Sequence, residues 1–344
     1  MGALCGGYIV AAKGLAWLHW VNVILAAISF VLCFFLQPET LYDRPQTIVH
    51  LANDDPIKKG VETKEAVAVS SSVASFSYPP YTFARSLKLI TYRPGIFQKF
   101  LAPYKVMRLP GVWLVSLWYA GLVGLIVTTS VVAPQLVAAP PYLWGKGVGL
   151  INLGGIFGTL LGCVSSTAIL VINSSLTHAQ IYTYFIADFT TKRLAKKDVH
   201  GFSEPESRLM TALPALAIAT FGSLVFGFVA QNPSPKGWVG LQFGQGMVAF
   251  GLMQAPSVGF NYLIESYGSL SGDCFVAVTS ARAIIAFAWT FFVGEWVHDN
   301  GPAEAFGIFG MLMGVFGLMT IPMLIWGKRL RIWTSKWVPK GTGM

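Results

Sequence analysis

The stretch GALCGGYIV (Gly2–Val10), followed by WLHWVNVILAAISFVLCFFL (Trp17–Leu36) and QPETLYDR (Gln37–Arg44), decides the class of fold. The middle piece holds no Lys, Arg, Asp or Glu in twenty residues. That is the length an α-helix needs to cross ~30 Å of hydrocarbon. Charge returns at once with Glu39, Asp43 and Arg44. Gly2, Gly6 and Gly7 make a small-residue face of the kind that lets two membrane helices approach closely. Lys13 follows the first apolar stretch and does not precede it, and a second apolar run comes directly after, so this is not the layout of a signal peptide.

Outward from this stretch, apolar runs recur at Gly111–Val132, Gly147–Ile172, Thr211–Ala230, Val239–Leu263, Cys274–Val297 and Pro302–Trp326. With 54% hydrophobic residues, 11% charged and a mean hydropathy of +0.60, the 344-residue chain is not an ordinary soluble domain. The expected fold is an all-α, polytopic membrane protein with about eight transmembrane helices, because a helix satisfies its own backbone hydrogen bonds in lipid. The first run, Met1–Ala12, is too short to span well alone.

The Lys and Arg residues set an orientation. Ten lie in Gln37–Pro110, five in Ala187–Met210 and five from Gly327 onward, whereas the connections on the other side carry only Lys13, Lys146 and Lys236. Twenty against three, alternating through successive loops, is a positive-inside asymmetry that predicts a cytoplasmic central loop and C-terminus. It also accounts for the formal charge of +9 without nucleic acid as a partner. The segment 38–110 is polar, then Ser- and Val-rich, then punctuated by Pro79, Pro80, Pro94 and Pro103. It reads as a linker. Within it, Ile96–Met107 mixes Phe97, Phe100, Leu101 and Tyr104 with Lys99 and Lys105, as a helix lying on the inner membrane surface would. Cys5, Cys33, Cys163 and Cys274 stand singly in apolar runs and read as buried small hydrophobes. The five His residues are scattered, so no metal is expected.

Two helices, a long basic loop and six helices resemble the later part of a major facilitator superfamily transporter, and particular motifs carry the resemblance further. GALCGGYI (Gly2–Ile9) resembles the glycine motif of the fifth helix in the drug:proton antiporter branch, with Ala3 where proline is usual. WLHWVN (Trp17–Asn22) and PETLYDR (Pro38–Arg44) resemble the start and exit of the sixth helix in fungal members. DFTTKRLAKK (Asp188–Lys197) with EPESRL (Glu204–Leu209) resembles the loop between the eighth and ninth helices, and NYLIESY (Asn261–Tyr267) the end of the tenth. The resemblance implies a multi-pass, plasma-membrane exporter of small organic molecules, coupled to the proton gradient, with no cofactor and no enzymatic activity. Its partners would be the lipid bilayer and a small-molecule substrate.

The same comparison divides the chain into residues 1–37, the remnant of an N-terminal half, a central loop 38–110, a six-helix half 111–327 and a tail 328–344. It implies that about four helices precede Gly2 in a complete family member, and the alternative function is then a remnant that inserts in the membrane without transporting. The surface around Gly2, Gly6 and Gly7 would in that case be apolar and uncovered. A forty-residue stretch without charge, Val148–Ala187, exceeds one crossing. Within it, 164–180 reads either as a translated short intron or as a re-entrant insertion.

Polar residues inside membrane helices are the default functional candidates. Gln242, Gln245, Gln254 and Asn261 all lie on the helix after Val239, and they read either as a stripe facing a cavity or as hydrogen bonds holding helices together. Tyr119, with Trp118 and Tyr142, reads as cavity lining or as interfacial anchoring. Arg282, the one basic residue inside a helix, needs a partner or water. Glu265 is the nearest acidic residue in sequence on the preceding helix, and the two read as a gating or a structural pair. Asp188 and Arg193 resemble the family's gating loop, or are plain inner-side charge. No Asp or Glu stands at mid-depth in the apolar runs.

Overall fold

The computed structural model describes residues 2–36, 96–171, 205–334 and 336. Among the described residues every regular element is helical. The chain forms two compact units, His19–Pro94 and the remainder, Met1–Leu18 with Gly95–Met344. The elements are α1 (Gly2–Lys13), α2 (Leu15–Leu36), α3 (Ile96–Val106), α4 (Pro110–Ala138), a 3-10 segment (Gly145–Asn152), α5 (Leu153–Val171), α6 (Leu209–Gln231), α7 (Gly237–Tyr267), α8 (Ser271–Asn300), α9 (Pro302–Leu318) and α10 (Thr320–Thr334). Among the described residues seven stretches are long and apolar enough to cross a membrane, and they coincide with the seven long runs of the sequence.

Helix ends follow from local chemistry. Pro110 opens α4 at its first turn, where a missing N–H costs nothing. Pro140 and Pro141 follow Ala139, whose extended backbone (ψ 161°) is what a residue before proline adopts. Gly301, at φ +85°, stops α8, and Pro302 then starts α9. The exposed N–H of Ala303 donates to Gln231 Oε1 at 3.3 Å, so the end of α6 caps the start of α9.

Two runs differ from their reading as unbroken helices. The run Gly147–Ile172 begins as a glycine-rich 3-10 segment and becomes α-helical only at Leu153. The last run breaks at Met319 between α9 and α10. Pro322 explains that break, since its ring would clash with the carbonyl four residues earlier, at Leu318.

Lipid is as apolar as leucine, so close packing and hydrogen bonds, not exclusion from water, hold such helices together. Glycines set the closest approaches. On α5, Gly154, Gly158 and Gly162 recur every four residues against Gln242, Gly246 and Met253 of α7, and a Cβ at Gly158 would overlap the Gly246 carbonyl. On the other side of α7, Gly251 meets Ala219 of α6, where an added Cβ would stand 2.6 Å from the alanine methyl. Polar staples add direction. Trp118 Nε1 donates to the Phe316 carbonyl at 3.1 Å, joining α4 to α9, and Ser223 Oγ donates to the Phe306 carbonyl at 2.8 Å, joining α6 to α9. Trp118 is fully buried, eight residues inside α4, and is a core residue, not an interfacial anchor.

The short α3 has the amphipathic character of its sequence. Val106 is buried, whereas Phe100 and Tyr104 are exposed with their rings 6.2 Å apart. Of the cysteines only Cys274 is buried; Cys5, Cys33 and Cys163 are exposed, which corrects the reading of all four as buried hydrophobes. An exposed thiol on an apolar helix presents a small, weakly polar group that lipid tolerates.

Candidate functional site

Arg282 stands eleven residues into α8, Tyr119 nine residues into α4 and Phe260 seven residues before the end of α7. At 1.5 Å per residue these positions lie about 10–17 Å from the helix ends they share, approaching the middle of a ~30 Å hydrocarbon layer. The guanidinium carbon of Arg282 lies 4.9 Å from the Tyr119 ring centroid. Tyr119 meets Phe260 edge-on at 5.8 Å, and Phe260 meets Phe275 of α8 at 4.9 Å. All four side chains are half-buried, so three helices present one continuous face of a cation and aromatic rings. The Arg282 Nε is itself enclosed and has no hydrogen-bond partner.

Glu265 does not pair with Arg282. It lies 2.6 Å from Arg208, which precedes α6, and so closes the ends of α6 and α7 against each other. Helix geometry is the reason: Glu265 sits two residues before the end of α7, whereas Arg282 is eleven residues below the start of α8, roughly 16 Å along the axis. A second charge pair lies at that same end. Arg331 Nη2 of α10 stands 3.0 and 3.2 Å from the two carboxylate oxygens of the buried Glu206. Gly327 makes the room, because a Cβ there would come within 2.7 Å of Glu206 Cγ. Glu206 and Arg331 were not singled out from the sequence. The signal was present in EPESRL, an acidic residue directly before an apolar run with basic residues in the final turn of the last helix. Asp188 and Arg193 lie outside the described residues.

The glutamines of α7 turn toward the 3-10 segment and α5. Gln242 Nε2 donates to the Leu150 carbonyl at 3.4 Å, Gln245 Nε2 to Asn152 Oδ1 at 3.2 Å and Gln254 Nε2 to the Gly162 carbonyl at 3.1 Å. They do not form one stripe. Nine residues at about 100° each place Gln254 on the opposite side of the axis from Gln245, so the amides straddle the α5 contact and their long side chains reach in from both flanks. Asn261, nearer the end of α7, is half-buried. An apolar groove of about 410 Å³ opens beside this contact, lined by Phe157, Leu161, Ile218, Phe243 and Phe250 around the glycines. Gln242 is its one polar side chain, and the groove does not include Arg282 or Tyr119.

The glycine face of α1 meets the 3-10 segment. A Cβ on Gly7 would stand 3.0 Å from the Lys146 carbonyl, and Gly6 is buried beside Leu18. The face is thus not uncovered at Gly6, while the neighbouring Tyr8 is half exposed. Gly2 is helical. Among the described residues no cluster of His, Cys, Asp or Glu could hold a metal.

Comparison with known proteins finds similarity to fungal transporters. The chain is 26% identical over 375 residues to an uncharacterised MFS-type transporter of Schizosaccharomyces pombe, across 98% of this chain and 61% of that protein. It is 20% identical over 393 residues to protein HOL1 of Saccharomyces cerevisiae, across 98% and 64%. It is also 22% identical over 336 residues to the efflux pump FUBT of Fusarium oxysporum, across 96% and 50%. The chain therefore spans between half and two thirds of the length of these relatives. No family model and no solved structure matches.

Proposed function

We propose, from the premise that this chain is a homologue of the fungal MFS-type transporters, that it is a secondary active transporter exporting small organic molecules across the plasma membrane. In this reading Gly111–Gly327 forms one six-helix half of the transporter, and the basic central loop and C-terminus face the cytoplasm. Substrate meets the bundle on the face of α4, α7 and α8. The single observation that supports this best is Arg282 against the Tyr119 ring, which in turn meets Phe260, a charge held inside a membrane helix with no ion pair among the described residues. Such a residue is costly to insert and marks a path for substrate more often than a purely structural contact. The name of one relative, an efflux pump, supports outward movement.

Alternating access requires contacts that close one end and release. Arg208 with Glu265 and Glu206 with Arg331 gather at the end of the bundle that the charge distribution assigns to the cytoplasm. They are the gating charges of this reading. The energy source is the proton gradient, and no cofactor is used. Among the described residues, the carboxylates available to carry a coupling proton stand near helix ends: Glu206, Glu265, Asp273, Glu295, Asp299 and Glu304. No nucleophile with an adjoining base was identified in the sequence, and the chain is read as a carrier and not as an enzyme.

The experiment is reconstitution of the purified chain into liposomes with an imposed pH gradient. Movement of radiolabelled organic compounds that stops when a protonophore collapses the gradient is the expected result. Movement equal to that in protein-free liposomes for every compound contradicts the reading.

A further inference from the structure

We propose that the face carrying Arg282, Tyr119 and Phe260 is a binding site for an organic anion, a carboxylate on a flat apolar body; this deepens the transporter reading and rests on it. Arginine cannot shed its proton in a protein, so the charge at Arg282 needs an anion or water wherever it is buried. The nearby acids do not supply one. Glu265 is engaged by Arg208 at 2.6 Å and Glu206 by Arg331 at 3.0 Å. Asp273 and Glu295 share α8 with Arg282 but stand nine residues before and thirteen after it, about 13 and 20 Å along the axis. Among the described residues no ion pair reaches Arg282.

The geometry also says which edge is open. Tyr119 covers one side of the guanidinium at 4.9 Å. The Nε donor is enclosed and has no acceptor, so the end of the guanidinium left for a ligand is its pair of Nη groups. A carboxylate fits such an edge with two parallel hydrogen bonds, which an alcohol or an amide cannot match. The ring of Phe260, set edge-on to Tyr119, and Phe275 beyond it give the body of the ligand an apolar wall. An ammonium substrate would meet the fixed positive charge and be rejected.

The test uses the purified full chain in lipid nanodiscs, titrated calorimetrically with 2-naphthoate and with its neutral isostere 2-naphthamide. The acid is expected to bind about tenfold or more tightly than the amide. Arg282→Gln removes that preference while amide affinity holds, and Arg282→Lys restores part of it. Equal affinities, no binding of the acid, or a preference that survives in Arg282→Gln overturns the proposal. Should Arg282→Gln fail to fold, the wild-type chain answers instead. Phenylglyoxal modification of Arg282, mapped by mass spectrometry, is slowed by naphthoate and not by the amide; equal modification in both overturns the site. Acid binding without movement in liposomes contradicts the transporter reading alone, whereas movement of neutral compounds with no acid preference contradicts this site alone.

Discussion

The guanidinium of Arg282 lies 4.9 Å from the centroid of the Tyr119 ring, across the boundary between α8 and α4. A cation over an aromatic face is held by the ring's quadrupole, worth ~0.5–1 kcal/mol when exposed and ~2 or more when desolvated. Tyr119→Phe keeps the face and is expected to leave the thermal midpoint in detergent almost unchanged. Tyr119→Leu removes it and lowers stability by about 1–2 kcal/mol. Equal behaviour of the two variants shows that the ring face does not hold the arginine.

The glycine contact between α5 and α7 is tight enough to be read by substitution. Gly158→Leu forces a side chain into the Gly246 carbonyl, and overpacking of this kind costs about 1–3 kcal/mol, or more where the backbone cannot move. Gly314→Ala serves as the contrast, because an added Cβ there meets nothing within 4 Å. It is expected to be neutral or to stabilise by up to ~1 kcal/mol through helix propensity. Thermal unfolding in one detergent, run for both variants, checks the pair.

The two charge pairs at one end of the bundle differ in burial, and their coupling energies differ accordingly. Arg208 and Glu265 have side chains 44% and 34% exposed, while Arg331 and Glu206 are 24% and 5% exposed. Exposed pairs contribute up to ~1 kcal/mol, and removing one partner of a buried pair costs about 3–5 kcal/mol. Double-mutant cycles read by thermal stability are expected to give the larger coupling to Glu206 with Arg331, and the stronger salt dependence to Arg208 with Glu265. The reverse order contradicts the burial argument.

Orientation is tested by labelling intact cells with a membrane-impermeant maleimide on a background with all four native cysteines replaced. Asp299→Cys, at the exposed end of α8, is expected to label from outside. Arg329→Cys on α10 is expected to label only after the membrane is permeabilised. The opposite pattern reverses the orientation drawn from the Lys and Arg distribution.

Much of the fold was legible in the sequence because membrane helices are constrained by one dominant requirement. Each must be long, apolar and internally hydrogen-bonded, and so the runs from Trp17 to Trp326 already marked the seven spans. The break at Met319 was also present as Pro322, but hydropathy alone does not register a proline. Partners were less legible. Glu265 was read against Arg282 because the two are close in sequence, and the structure gives it to Arg208 because helix ends meet helix ends. The glutamines of α7 read either as one stripe or as hydrogen bonds between helices; nine residues make two and a half turns, so Gln245 reaches Asn152 of the 3-10 segment from one flank and Gln254 the Gly162 carbonyl of α5 from the other, where glycines at 154, 158 and 162 draw the chains close. That four-residue glycine spacing was the sequence signal for the contact. What joins Tyr119 to Arg282 has no such signal, since they are far apart in the chain and neither carries a motif.

The central claim, that the chain moves small organic molecules, is tested most directly in a yeast strain deprived of its own drug pumps. Cells producing the chain and control cells are given the same panel of radiolabelled acids, amines and neutral compounds, and accumulation is measured with and without a protonophore. Lower accumulation of at least one compound in producing cells is expected, with loss of the difference when the protonophore is added. Equal accumulation across the whole panel, with the protein verified in the plasma membrane, contradicts it.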